Sequence, residues 1–171
     1  MHRGKCDIAH GGISRTLARA QRAETSRPYL STGKTALTTT VNADRFHRID
    51  QINQQGVRVI ENAGGTNQHF AERTLPNAIL TIWRDNLTMF GELIAGRADV
   101  MITDAVEAIY QAMAHQELVA VHPDRPFTID YKVYLLPKAS RLIGRTNQWL
   151  AEILIDGTIN AIYRRWTTHS R

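Results

Sequence analysis

Three short stretches bring glycine, hydroxyl, amide or carboxylate groups to positions that suit a small-molecule site. They are Gly11-Gly12-Ile13-Ser14, Gly64-Gly65-Thr66-Asn67 and Thr103-Asp104-Ala105-Val106-Glu107. Each reads as the entrance of a helix directly after a strand, where unpaired backbone N–H groups and the helix dipole favour an anion. In open α/β sheets, ligands sit outside the carboxyl ends of the strands, so entrances of this kind can converge on one cleft. A plainer reading accompanies each. Gly64-Gly65-Thr66 suits a tight turn followed by an N-cap. Arg19 has the guanidinium fork that grips a carboxylate, and equally suits a solvated helix face. Asp104 and Glu107 have the spacing of a capping box, in which each side chain satisfies a backbone amide of the first turn. In the functional alternative, Asp104 holds a cationic or hydroxyl group. Glu107, driven towards its neutral form by a desolvated pocket and the adjacent carboxylate, then donates a proton. The helix dipole opposes that neutral form, so spacing alone leaves both readings open.

Other chemistries lack support. The chain contains no G-x-G-x-x-G and no Walker loop, which argues against nucleotide cofactors, and neither H-E-x-x-H nor G-x-S-x-G. One cysteine, Cys6, rules out an internal disulfide and argues against a thiolate zinc site, so no metal is expected. The formal charge of +5 favours anionic partners. Its basic residues (Arg15, Arg58, Arg84, Arg97, Arg145) are scattered and not interleaved with aromatic residues, which argues against nucleic acid. With 171 residues, 43% hydrophobic and 22% charged, the chain is expected to form one globular unit or two small lobes. No apolar run reaches the roughly 18 to 20 residues of a membrane span. The start MHRGKCDIAH lacks the apolar core of a secretory signal, so the chain as written carries no export address and reads as cytoplasmic.

The elements that must position these residues follow from periodicity. Short β-like runs alternate with helical segments, which predicts an α/β class with a mostly parallel sheet. Strands are expected at Cys6–His10, Lys34–Val41, Val57–Glu61, Ile79–Trp83, Val100–Thr103, Leu118–Val121 and Lys132–Leu136. Asn86 is placed to cap a helix carrying Leu87, Phe90 and Leu93 and ending at Gly96. Asp104 is placed to cap one carrying Val106, Ile109, Tyr110 and Met113. Two helices follow near the C-terminus, separated by Gly157, and Trp83, Trp149 and Trp166 fall in apolar patterns expected to be core. The threonine-rich run Thr35–Thr40 suits an extended crossover, and His122-Pro-Asp-Arg-Pro126 suits a boundary turn. Residues 1–41 and 131–171 then make one lobe and 42–130 the other.

The segments GKCDIAHGGISRTLARAQ, SRPYLSTGKTALT, GVRVIENAGGTNQHF, DNLTMFGELIAGRADVMITDAVEA, HPDRPF, KVYLLPK and QWLAEILIDGTINAIYRRW resemble, in collinear order over almost the whole chain, the type 2 periplasmic solute-binding proteins. Within that family they are most similar to the cyclohexadienyl dehydratase branch. The combination of GGTN, ADVMITDAVEA and YLLPK is far more specific than any one motif. The resemblance implies two α/β lobes joined by a hinge that closes on a small molecule. It also implies a carbon–oxygen lyase that needs no cofactor, converting prephenate to phenylpyruvate, or arogenate to phenylalanine, by loss of water and carbon dioxide.

Carried over by position, Ser14, Arg19, Thr66 and the backbone around Asn67 would bind the substrate carboxylate, and Lys34 and Asn62 would make further polar contacts. Asp104 matches the acid that holds the α-amino group in amino-acid-binding relatives, and Glu107 matches the general acid. Members of this family begin with a further strand–helix–strand portion, so the first lobe is expected to be incomplete here. A periplasmic location is implied for a full-length relative. His10 and Gly11 depart from commoner choices near the cleft, which leaves prephenate against arogenate open. The alternative is an amino-acid-binding protein that delivers to an ABC permease, or an inactive fragment of either kind.

Overall fold

The computed structural model describes residues 6–168. In chain order the elements are α1 (Leu17–Arg22), β1 (Glu24–Thr25), β2 (Leu30–Thr32), β3 (Lys34–Thr39), a 3-10 turn (Thr40–Asn42), α2 (Ile49–Ile52), β4 (Arg58–Asn62), α3 (Thr66–Thr74), β5 (Ile79–Trp83), α4 (Met89–Ile94), β6 (Val100–Asp104), α5 (Ala105–Ala114), β7 (Leu118–Val121), β8 (Asp130–Lys132), β9 (Leu135–Leu136), α6 (Ile143–Ile155) and α7 (Thr158–Thr167). They fall into two compact units. One ends at Thr32 and resumes at Asp130, and the middle unit is Gly33–Ile129.

The middle unit is built on a five-stranded sheet in the order β5-β4-β6-β3-β7. Strand β4 is parallel to β5 and β6, whereas β3 runs antiparallel to both β6 and β7. Adjacent strand residues point to opposite faces, and here both faces are covered. Ala36, Val59 and Ile102 pack with Ile52, Phe70 and Ala71 on one side. Leu37, Ile60 and Met101 pack with Met89, Leu93 and Ala108 on the other. Double coverage is why these strands read as continuous apolar runs. Each of the larger side chains here (Val, Leu, Ile, Phe, Met), once fully buried, contributes about 1.5–3 kcal/mol.

The first crossing lies eight to ten residues earlier than the sequence suggests, because β3 is no crossover. It sits inside the middle sheet between β6 and β7, with Lys34 to Thr38 all buried. Its threonines tolerate this because their hydroxyls are satisfied: Thr35 donates to the Val121 carbonyl, and Thr38 to that of Asp99 at 2.6 Å. The reversed β3 also makes the sheet mixed. The turn at 122–126 lies inside the middle unit, and the second crossing follows Ile129.

Gly33 opens the middle unit at a point of close approach. A Cβ there would lie 1.8 Å from the Thr128 carbonyl oxygen and 2.8 Å from Pro126 Cβ. The neighbouring chain cannot yield easily, since Phe127 N–H donates to Lys34 O and Lys34 N–H donates to Thr128 Oγ1. Gly33→Ala is therefore expected to cost at least about 1–3 kcal/mol. Thermal melting checks this, and a wild-type midpoint would show that the 126–128 segment moves freely.

The other unit contains two short antiparallel ladders, β1–β9 and β2–β8, with α1, α6 and α7. The expected first strand is only an isolated bridge between Ala9 and Leu135, and the run at 132–136 is split between β8 and β9. Of the three tryptophans expected in the core, Trp83 is half-buried, with its indole N–H donating to Thr88 Oγ1 at 3.0 Å. Trp149 and Trp166 are 46% and 56% exposed, and α7 contains no buried residue. Leu17 and Ile155 are exposed as well. Helix α4 starts behind Thr88 and not Asn86, leaving Leu87 outside, while Gly96 (φ +68°) and Gly157 (φ +84°) take the left-handed conformation where the helix ends were expected. Among the described residues, no helix is long and apolar enough to cross a membrane.

Candidate functional site

Lys34 and Asp104 sit opposite each other at the ends of β3 and β6, because the antiparallel register pairs their Cα positions. Lys34 is 2% exposed, and a buried ammonium is tolerated only when it is paired and its hydrogen bonds are made. Its Nζ donates to Asp104 Oδ1 at 2.9 Å, Thr66 Oγ1 at 3.0 Å and Asn67 Oδ1 at 2.5 Å. These three acceptors match the three protons of the group. Two of them come from the first turn of α3, whose amides have no partner within the helix. The turn that delivers this helix requires its glycines. Gly64 has φ +76°, and a Cβ on Gly65 would come within 3.0 Å of the Asn62 amide. The Gly-Gly-Thr motif is thus both a tight turn and part of the cluster.

From Asn67 the network continues towards α5. The Asn67 amide approaches Thr103 Oγ1 at 3.4 Å and Asn62 Oδ1 at 3.5 Å, both long, and the Thr103 hydroxyl donates to Glu107 Oε2 at 2.5 Å. Asp104 occupies the N-cap position of α5, yet its side chain makes no capping bond, so the capping box is not formed. The reason lies across the sheet: a buried ammonium is a stronger donor than a backbone amide, and the register places it directly opposite Asp104. Glu107 is likewise turned to Thr103 and not to the helix end.

The structure therefore joins Lys34, Asn62, Thr66, Asn67 and Asp104, with Glu107 linked through Thr103. Ser14 and Arg19 lie in the other unit, where Arg19 Nη1 donates to Ser14 O at 2.6 Å and the buried Lys132 donates to Ser14 Oγ at 2.8 Å. Sequence reasoning placed Thr103 in a site motif without a role of its own and passed over Lys132 and Glu61. The last left a signal, a lone charge within the apolar run RVIEN. Glu61 is fully buried, and its Oε1 accepts the Ile102 N–H at 2.7 Å. Burial raises its pKa well above the usual carboxylate range, against the opposing effects of that N–H and of Lys34, while Glu107 raises it further. Among the described residues, no three His, Cys, Asp or Glu side chains are grouped as metal ligands would be.

The mixed sheet carries its polar cluster at the strand ends, the place where ligands sit in open α/β folds. The chain belongs to the bacterial extracellular solute-binding proteins, family 3, whose sequence model matches residues 1–169. Among curated proteins it is similar to the cyclohexadienyl dehydratase of Pseudomonas aeruginosa, 42% identical over 160 residues that cover 94% of this chain and 60% of that protein. Among solved structures it resembles an ancestral amino-acid-binding protein described as a precursor of cyclohexadienyl dehydratase. That match has 31% identity and a TM-score of 0.84, covering 96% of this chain and 70% of that one. An ancestral cyclohexadienyl dehydratase is 43% identical with a TM-score of 0.56, covering 96% and 69% of the two chains.

Proposed function

We propose that this chain carries the site of a cyclohexadienyl dehydratase. In this reading Glu107 protonates the departing ring hydroxyl of prephenate or arogenate, the C–O bond breaks and water leaves. The C–C bond to the ring carboxylate breaks with it, carbon dioxide departs, and the electron pair stays in the ring, which becomes aromatic. Aromatisation supplies the driving force, so the protein has only to hold the carboxylates and deliver one proton. No metal or organic cofactor takes part.

The observation that carries this reading is the freedom of Glu107 from helix capping. Its carboxyl is held by the Thr103 hydroxyl at the edge of the Lys34 cluster, where a binding-only protein has no need of an acid. The 42% identity to a cyclohexadienyl dehydratase points the same way. Thr66 and Asn67 are assigned to the substrate carboxylate, Lys34 and Asn62 to further polar contacts, and Asp104 to balancing the lysine charge.

The second reading is amino-acid binding for delivery to an ABC permease. It is favoured by Asp104, a carboxylate able to hold an α-amino group, and by the likeness to the ancestral amino-acid-binding protein. Incubation with prephenate separates the two. Phenylpyruvate formation is expected for the dehydratase, and saturable amino-acid binding without product would establish the alternative.

A further inference from the structure

Glu61 has no part in the proposed reaction, yet it is fully buried on β4 and reaches the backbone of β6, the two strands whose ends carry part of the cluster. Strand β4 pairs with β5 at five positions, from Arg58 opposite Ile79 to Asn62 opposite Trp83, but with β6 only at Val59 opposite Val100. Beyond that point the Ile102 N–H, which an unbroken ladder would give to a backbone carbonyl, donates to Glu61 Oε1. Oε2 of the same carboxyl has no hydrogen-bond partner among the described residues.

We infer that Glu61 is a positioning residue of the site, its side chain standing in for the absent strand contact and setting the gap between the ends of β4 and β6 across which Asn67 meets Asn62 and Thr103. An unbroken ladder would keep the strands about 4.8 Å apart to their ends. The inserted carboxyl holds them wider, and Thr103 then presents its hydroxyl to Glu107 from that position.

The charge state of Glu61 fits this role. As a neutral acid it leaves Lys34 to Asp104 and places no negative charge beside Glu107, the two titratable side chains that act on it. Because the folded chain holds this proton more tightly than the unfolded one, the stabilisation is complete below the ordinary value of 4.5 and is lost as pH rises towards the raised folded value.

The test compares Glu61→Leu, which keeps bulk but has no acceptor, with Glu61→Gln, which keeps the Oε1 acceptor and cannot ionise. Two readouts need no substrate: exchange of the Ile102 amide proton, and stability against pH. In E61L the Ile102 amide is expected to exchange at least about tenfold faster, and E61Q is expected to restore its protection. Relative to wild type, E61Q should gain stability progressively as pH rises above the ordinary carboxyl value of 4.5. The third readout rests on the dehydratase reading. E61L is expected to lose about 100-fold in kcat with a smaller change in KM, and E61Q to recover most of it.

Wild-type Ile102 exchange in E61L, or a pH profile of E61Q parallel to wild type, would overturn the positioning role. So would undiminished kcat in E61L where the wild type is active. If the wild type does not turn over prephenate while Ile102 exchange and the pH profile respond as expected, the strand-spacing role of Glu61 stands and the dehydratase reading fails.

Discussion

Glu107→Gln is expected to reduce prephenate turnover by about 100- to 10,000-fold while leaving substrate affinity within a few fold, the range associated with loss of a general acid. Glutamine preserves the length of the side chain and an oxygen to accept the Thr103 hydroxyl, so the hydrogen bond that holds position 107 survives. Only the acidic proton is removed. Initial rates together with calorimetric titration check both halves of the expectation. Turnover near the wild-type rate would remove Glu107 from the mechanism. Equal loss of binding and turnover would mean that the residue holds the substrate and does not protonate it.

The largest effect on stability is expected at Lys34. Replacing it with methionine fills similar space but leaves the Asp104 carboxylate, whose side chain is 15% exposed, without its ammonium partner. Removing one member of a buried ion pair costs about 3–5 kcal/mol, most of it the penalty of the stranded charge. The loss here extends further, since Thr66 Oγ1 and Asn67 Oδ1 also surrender their donor. Urea denaturation of Lys34→Met, Asp104→Asn and the double variant checks the origin of the loss. The double variant should be clearly more stable than the sum of the single losses predicts, because the second change removes the charge that the first exposed. Simple additivity would show that the pair is not coupled and that Lys34 is held by Thr66 and Asn67.

Much of this was legible in the residues themselves. The runs at 100–103 and 118–121 are strands whose residues pack into the clusters on both faces of the middle sheet, so that burial leaves an uninterrupted apolar signal, whereas the run at 79–83 is an edge strand with no buried residue. Gly157 divides the last two helices because no side chain is needed at φ +84°. The motifs around Thr66 and Asp104, with Lys34, contain most of the cluster that the structure assembles.

The tertiary structure decided where the chain crosses between units, how the Asp104–Glu107 motif is used and what Glu61 does. A threonine-rich segment reads as an extended crossover until the partners of its hydroxyls are known, and these come from Asp99 and Val121, far along the chain. The spacing of Asp104 and Glu107 describes a capping box correctly as a local option. A lysine 70 positions away overrides it once the antiparallel register brings the two residues opposite each other. Amino-acid types and periodicity report which face of a segment is buried and what its side chains are able to do. Which partner each polar group takes depends on the register between distant strands, because electrostatic and hydrogen-bond energies are set by proximity in space.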